Sequence, residues 1–172
     1  ADGELRLTVP YFKRIDQRLG FSLAYEEETP DAYDSHSIRA SSWLARDVTP
    51  DLTLQAGGAL RYLEVEQNDE TDRYYLASLP ASLIWDRSDN RLDARKGFRV
   101  VADTEPFQSL ESDRLFFWKN LGTVNGYLPL RRDRSWVAAV RITAGSINAA
   151  SLDDVPADVR FYGGGGESVR GY

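Results

Sequence analysis

Few residues of this chain are of types that carry catalysis. The single histidine, His36, stands in Asp34-Ser35-His36-Ser37 at a loop-to-strand junction, and any Ser-His-Asp site would have to use it. Cysteine is absent, which removes thiolate nucleophiles, thiolate metal sites and disulfides. Gly166-Glu167-Ser168-Val169-Arg170 approaches the G-x-S-x-G nucleophile elbow, but it ends in Arg and no strand-to-helix context follows. Gly163, Gly164, Gly165 and Gly166 do not complete G-x-G-x-x-G, because Ser168 or Val169 falls where the third Gly belongs. No Walker-type Gly-Lys-Ser/Thr occurs. Asp86, Asp89, Asn90 and Asp93 crowd one turn, at a spacing unlike that of an EF-hand loop. These residues predict no enzyme, no metal and no cofactor.

Charge and hydropathy narrow the classes further. The 172 residues carry a net charge of −6, which argues against nucleic acid as a partner, since phosphate binding calls for a basic face. No stretch approaches the ~18–20 apolar residues of a membrane helix. A membrane barrel stays open, because its strands alternate and give weak hydropathy signals. The chain lacks Met, even at position 1, so it is expected to begin after a processing site or to be part of a longer protein.

The dominant period is two. Residues 18–28 put Leu19, Phe21, Leu23 and Tyr25 on one face and Gly20, Ser22, Ala24 and Glu26 on the other. Residues 52–64 and 135–148 alternate in the same way, as do residues 3–9. Weaker candidates are 35–46, 73–85, 98–107 and 113–128. Together these are eight strands covering more than half of the chain. Most reach ten residues, whereas soluble strands peak at ~5–6 and a tilted bilayer crossing needs ~9–11. The connectors are short, which predicts an up-and-down antiparallel meander. Glu26 to Asp34 and Glu64 to Asp72 read as acidic loops.

Alternation by itself fits either a soluble sheet with its apolar face inward or a barrel with that face to lipid. Strand length and the aromatics near strand ends (Tyr25, Trp43, Tyr62, Trp85, Trp118, Tyr127, Trp136) favour the barrel. On that reading Leu19, Phe21, Leu23, Leu54, Leu60, Trp136, Val140 and Ile142 face lipid. Gln55, Arg61, Arg99, Asp103 and Arg141 face the lumen.

The last segment differs from every other connector. After residue 148 the chain ends in Arg160-Phe161-Tyr162-Gly163-Gly164-Gly165-Gly166-Glu167-Ser168-Val169-Arg170-Gly171-Tyr172. This stretch resembles the signature of the bacterial surface-antigen superfamily, outer-membrane barrels that assemble or translocate other proteins. Its aromatic lead-in and the Ser before Val are most similar to the barrel of the translocation and assembly module. A second resemblance runs from Asp86 to Gly97, an Asp-rich stretch through Asp89, Asn90, Leu92 and Asp93 that is similar to the family's periplasmic turn. The prolines often found in that turn are absent here.

The resemblance implies a transmembrane β-barrel of sixteen strands. Residues 1–148 would supply eight of them, strands four to eleven. Residues 149–172 would be a long extracellular loop folding into the lumen. It implies bacterial outer-membrane lipid and client barrel or autotransporter proteins as partners, and a periplasm-spanning partner as a candidate. Arg170 would act as an internal clasp, flanked by Val169, Gly171 and Tyr172. Its wall carboxylate would usually lie on later strands, with Asp103 and Glu105 as fallback partners within this chain. Alternatives left open are a two-partner secretion transporter, a passive pore, and a soluble all-β binding module.

Overall fold

A computed structural model of the chain describes residues 2–28, 34–67, 70–111, 115–131, 136–149, 155–156 and 159–160. Among the described residues nine strands form one antiparallel sheet. They are β1 (Gly3–Pro10), β2 (Gln17–Glu28), β3 (Asp34–Thr49), β4 (Leu52–Gln67), β5 (Glu70–Ser78), β6 (Ala81–Asp86), β7 (Gly97–Ser109), β8 (Phe116–Pro129) and β9 (Val137–Ala149). Neighbours in the sheet follow chain order, with β5 and β6 sharing one place between β4 and β7. No helix of the described residues is long and apolar enough to cross a membrane.

The sheet thus has eight crossings, of which one is interrupted. The expected strand over 73–85 breaks at Leu79-Pro80. Its register with β7 is the same on either side of the break, with Ser78 opposite Phe107 and Ala81 opposite Thr104. That register sets Leu79 and Pro80 against Pro106 and Glu105. Neither proline has an N–H to give to the ladder. Only single bonds bridge the gap, Leu79 N–H to the Pro106 carbonyl and Gly57 N–H to the Pro80 carbonyl.

Two further expectations are corrected. The acidic stretches expected as loops are partly strand at their described ends: β2 runs to Glu28 and β3 starts at Asp34, while β4 ends at Gln67 and β5 starts at Glu70; residues 29–33 and 68–69 lie outside the described residues. Cross-strand pairing holds charges of these strand ends, as where Arg73 Nε meets Glu64 Oε2 at 3.0 Å. Trp136 precedes β9 and sits in the turn, its ring 5.4 Å from the Arg131 guanidinium.

Register sorts the side chains into two faces. Paired residues share a face, so the row Tyr25, Ile38, Tyr62, Tyr75 lies on one side of β2 through β5. The large exposed apolar residues, among them Phe21, Leu23, Leu54, Leu60, Val140 and Ile142, fall on this same side. Gln55, Arg61, Arg99, Asp103 and Arg141 fall on the other. Trp43 and Tyr127 also lie on that second face and not in an outer aromatic rim. Trp43 covers Gly20 on β2, where a Cβ would stand 2.1 Å from its ring atoms.

The second face is concave. Arg39 on β3 and Glu105 on β7 meet at 2.6 Å. On a flat sheet three strand steps would hold their backbones about 14 Å apart before any offset along the strands. The buried residues Leu63, Leu76, Phe107 and Phe117 all lie on this concave side.

Candidate functional site

The concave wall carries three constructions. The first is the ion pair between Arg39 and Glu105. Ser78 Oγ on β5 donates to the same carboxylate oxygen at 2.7 Å. The guanidinium and carboxylate are 27% and 19% exposed, so water screens this pair less than a surface pair. It ties β3 to β7 across β4 and β5. Nearby, Arg61 on β4 donates to Ser37 at 3.0 Å and meets Glu26 at 3.4 Å.

The second construction lies where the chain leaves β9. Val155 and Val159 are buried in a cluster with Leu76, Phe107 and Phe117. Phe107 and Phe117 stack with centroids 4.7 Å apart and planes at 14°. Backbone polar groups of the incoming segment are bonded as well. Lys119 Nζ on β8 donates to the Val159 carbonyl at 2.9 Å, Arg160 Nε to the Val155 carbonyl at 2.8 Å, and Val159 N–H to the Pro156 carbonyl at 3.0 Å. The segment is therefore fastened to the inner wall immediately before Phe161.

The third is the Asp-rich turn between β6 and β7, which braces itself. Asp86 accepts from Ser88 N–H at 3.1 Å and Ser88 Oγ at 2.6 Å. Asp89 Oδ1 accepts from the N–H groups of Arg95 and Lys96 at 2.9 and 3.0 Å. Asn90 Oδ1 accepts from Leu92 N–H at 2.9 Å, and Asp93 pairs with Arg95 at 3.0 Å. Gly97 closes the turn at φ +102°, where a Cβ would lie 2.1 Å from the Arg87 carbonyl oxygen. The carboxylates cap backbone donors, as Asp and Asn do in turns. No group of three or more His, Asp or Glu residues able to hold a metal occurs among the described residues.

The structure brings some of the sequence-derived residues together and leaves others apart. Asp86, Asp89, Asn90 and Asp93 share the one turn, but Leu92 is exposed there. Asp103 and Glu105 stand two residues apart on the concave face of β7. Glu105 is engaged by Arg39 and Ser78, whereas Asp103 is exposed opposite Ser82 and Leu121. Gly163, Gly164, Gly165, Gly166, Ser168, Val169, Arg170, Gly171 and Tyr172 lie outside the described residues. Sequence reasoning missed Arg39, Ser78, Lys119, Val155 and Val159. The alternation of β3 puts Arg39 on the polar face, but nothing in the sequence signals a partner 66 residues away.

The whole chain, residues 1–172, matches the family described as Omp85 superfamily domain. No curated protein sequence is similar to it at a significant level. Among solved structures it is similar to BamA from Haemophilus ducreyi lacking POTRA domains 1–3, with a TM-score of 0.83 and 19% identity. That match covers 99% of this chain and 37% of the BamA chain, so this chain spans little more than a third of the relative it resembles. The apolar convex face, the polar concave wall and the meander order agree with this likeness, and the chain belongs to the Omp85 superfamily of bacterial outer-membrane β-barrels.

Proposed function

We propose that this chain forms part of the wall of a barrel that assists insertion or translocation of other outer-membrane or autotransported proteins. It does so by binding and guiding strands and not by covalent catalysis. The observation that carries this reading is the fastening of Val155 and Val159 to the concave wall, directly before the Arg160 to Tyr172 stretch. A buried anchor at Val155 and Val159, close before the motif in the sequence, supports the role of an internal clasp for the Val-Arg-Gly-Tyr motif.

Arg170 is the chief residue of that clasp. Glycines at 163 to 166 and 171 permit sharp bending and close approach to a wall. The planar guanidinium suits a carboxylate. Glu105 is already bonded to Arg39 and Ser78, which leaves Asp103 as the candidate partner within these strands. The Asp86 to Gly97 turn acts as the periplasmic turn, and the clients are barrel or autotransporter chains, as in the translocation and assembly module that the motif resembles.

The test is insertion of a denatured client barrel into vesicles containing the intact protein, followed by the client's shift in gel mobility on folding. Arg170→Ala should slow insertion and lower the barrel's own melting point, with a loss of about 3–5 kcal/mol if the pair is buried. Arg170→Lys should restore only part of both. Parent-level insertion and stability in Arg170→Ala would sink the clasp. Parent protein that conducts ions but inserts no client would favour the pore.

A further inference from the structure

Near the turn between β6 and β7 the concave wall holds a pocket of about 330 Å³, bordered on one side by Asp86 and Ser88 of that turn. Register builds it. Asp86 on β6 faces Arg99 on β7, Arg99 faces Asn125 on β8, and Asn125 faces Arg141 on β9. Four side chains thus form one row across four adjacent strands. Thr123 and Tyr127, two residues to either side of Asn125, extend the same wall, and Arg91 reaches in from the turn. Three arginines therefore share the pocket with one carboxylate.

That carboxylate does not neutralise them. Asp86 is 5% exposed and bonded to Ser88, with Arg91 Nε at 3.5 Å. Arg99 Nε is shut off from solvent and has no hydrogen-bond partner among the described residues. Arg141 is exposed. Burying a guanidinium donor without a partner is unfavourable, and two guanidiniums about 10 Å apart at the backbone can converge on one anion over Asn125. The Asn125 amide adds a neutral donor between them.

We propose that this pocket binds a carboxylate side chain of an acidic polypeptide segment, gripped between Arg99 and Arg141. The pocket opens on the concave wall, away from the apolar face, so a lipid headgroup is the wrong geometry. Guanidinium forks match the two oxygens of a carboxylate. The inference rests on the assembly reading, in which unfolded clients pass this wall; acidic residues of a client would be held here in transit.

The experiment uses the intact protein in micelles and a fluorescent peptide of alternating Asp and Ser. Its counterpart with Asn for Asp is the uncharged control. Binding should be salt-sensitive and should require the carboxylates. Arg141→Gln should weaken it about tenfold, as for loss of one charge-assisted contact, and Arg99→Gln with Arg141→Gln should abolish it. Arg46→Gln, on the convex face, should leave it unchanged. Arg141 is exposed, so its variant keeps the fold, and retained gel-mobility shift confirms this. Equal binding of the Asn peptide, or binding indifferent to both arginines, would overturn the proposal. Displacement of the peptide by micromolar inorganic phosphate would replace it with a small-anion site. Client insertion by the parent is read in parallel. If the parent inserts clients while peptide binding ignores the arginines, the pocket fails and the assembly reading stands. If the arginines govern peptide binding but no client is inserted, the pocket stands and the assembly reading fails.

Discussion

Gly97 shows what a single missing side chain decides. Its φ of +102° is one that L residues rarely adopt, and a Cβ there would strike the Arg87 carbonyl oxygen at 2.1 Å. Gly58, by contrast, has nothing within 4 Å of a built Cβ. Gly97→Ala should therefore lower stability by more than about 1 kcal/mol, whereas Gly58→Ala should be neutral or slightly stabilising. Denaturant melts in micelles check both. Asp16, in the turn between β1 and β2, supplies a pH signature. Its carboxyl is held below the ordinary aspartate range, chiefly by the hydrogen bond from Arg46, which outweighs an opposing effect of desolvation, with Arg14 adding a smaller pull in the same direction as Arg46. A lowered folded value means that the ionised form is favoured by folding. Its contribution is complete above the unfolded value near pH 4 and is lost as pH falls through the folded value. Asp16→Asn should thus differ from the parent between pH 5 and 8 and converge with it in acid. A constant gap down to pH 2 would contradict the assignment.

At the scale of the element, a strand in this sheet has two different solvents. Val140 on β9 is 56% exposed on the convex face, whereas Thr143 faces the concave wall, where it meets Thr123 at 3.2 Å. An Arg on the lipid face near mid-membrane costs about 2–4 kcal/mol, and a lumen-facing exchange far less. Val140→Arg should therefore destabilise the barrel strongly, with Thr143→Arg close to the parent. Equal losses in unfolding experiments from vesicles would mean that the faces are assigned wrongly. The broken crossing at β5 and β6 belongs to this scale too. Pro80 and Pro106 weaken the ladder at one level, while Ser78 beside the break reaches across to Glu105. Loss of backbone bonds is met there by side-chain bonds on the concave face.

For the whole molecule, the convex aromatics mark a thickness. Leu52, opposite Trp85, lies ten residues before Tyr62 on β4, which pairs with Tyr75 at a ring distance of 5.0 Å. Ten residues span about 33 Å along a strand, and a tilt of about 40° reduces that to roughly 25 Å across the bilayer. Trp85 packs edge-on against Phe98 at 4.9 Å near the other rim. A band of this height, apolar outside and polar inside, should keep the intact protein in the detergent phase on phase separation. Recovery in the aqueous phase as a dispersed monomer would revive the soluble binding module.

The faces, the meander and the family were legible in the sequence, because each rests on local information. Period-two alternation is written residue by residue, short connectors force neighbours to pair, and the Val-Arg-Gly-Tyr and Asp-rich stretches are contiguous. How the concave wall pairs its charges is visible only once the strands are assembled into a curved sheet. Arg39 meets Glu105 because the sheet curves, and curvature accumulates over several strands without a signature in any one of them. Trp43 and Tyr127 looked like rim aromatics, but register turned both inward. The row of Asp86, Arg99, Asn125 and Arg141 depends on three strand registers at once. A slip of one residue in any of them would send part of the row to the lipid face.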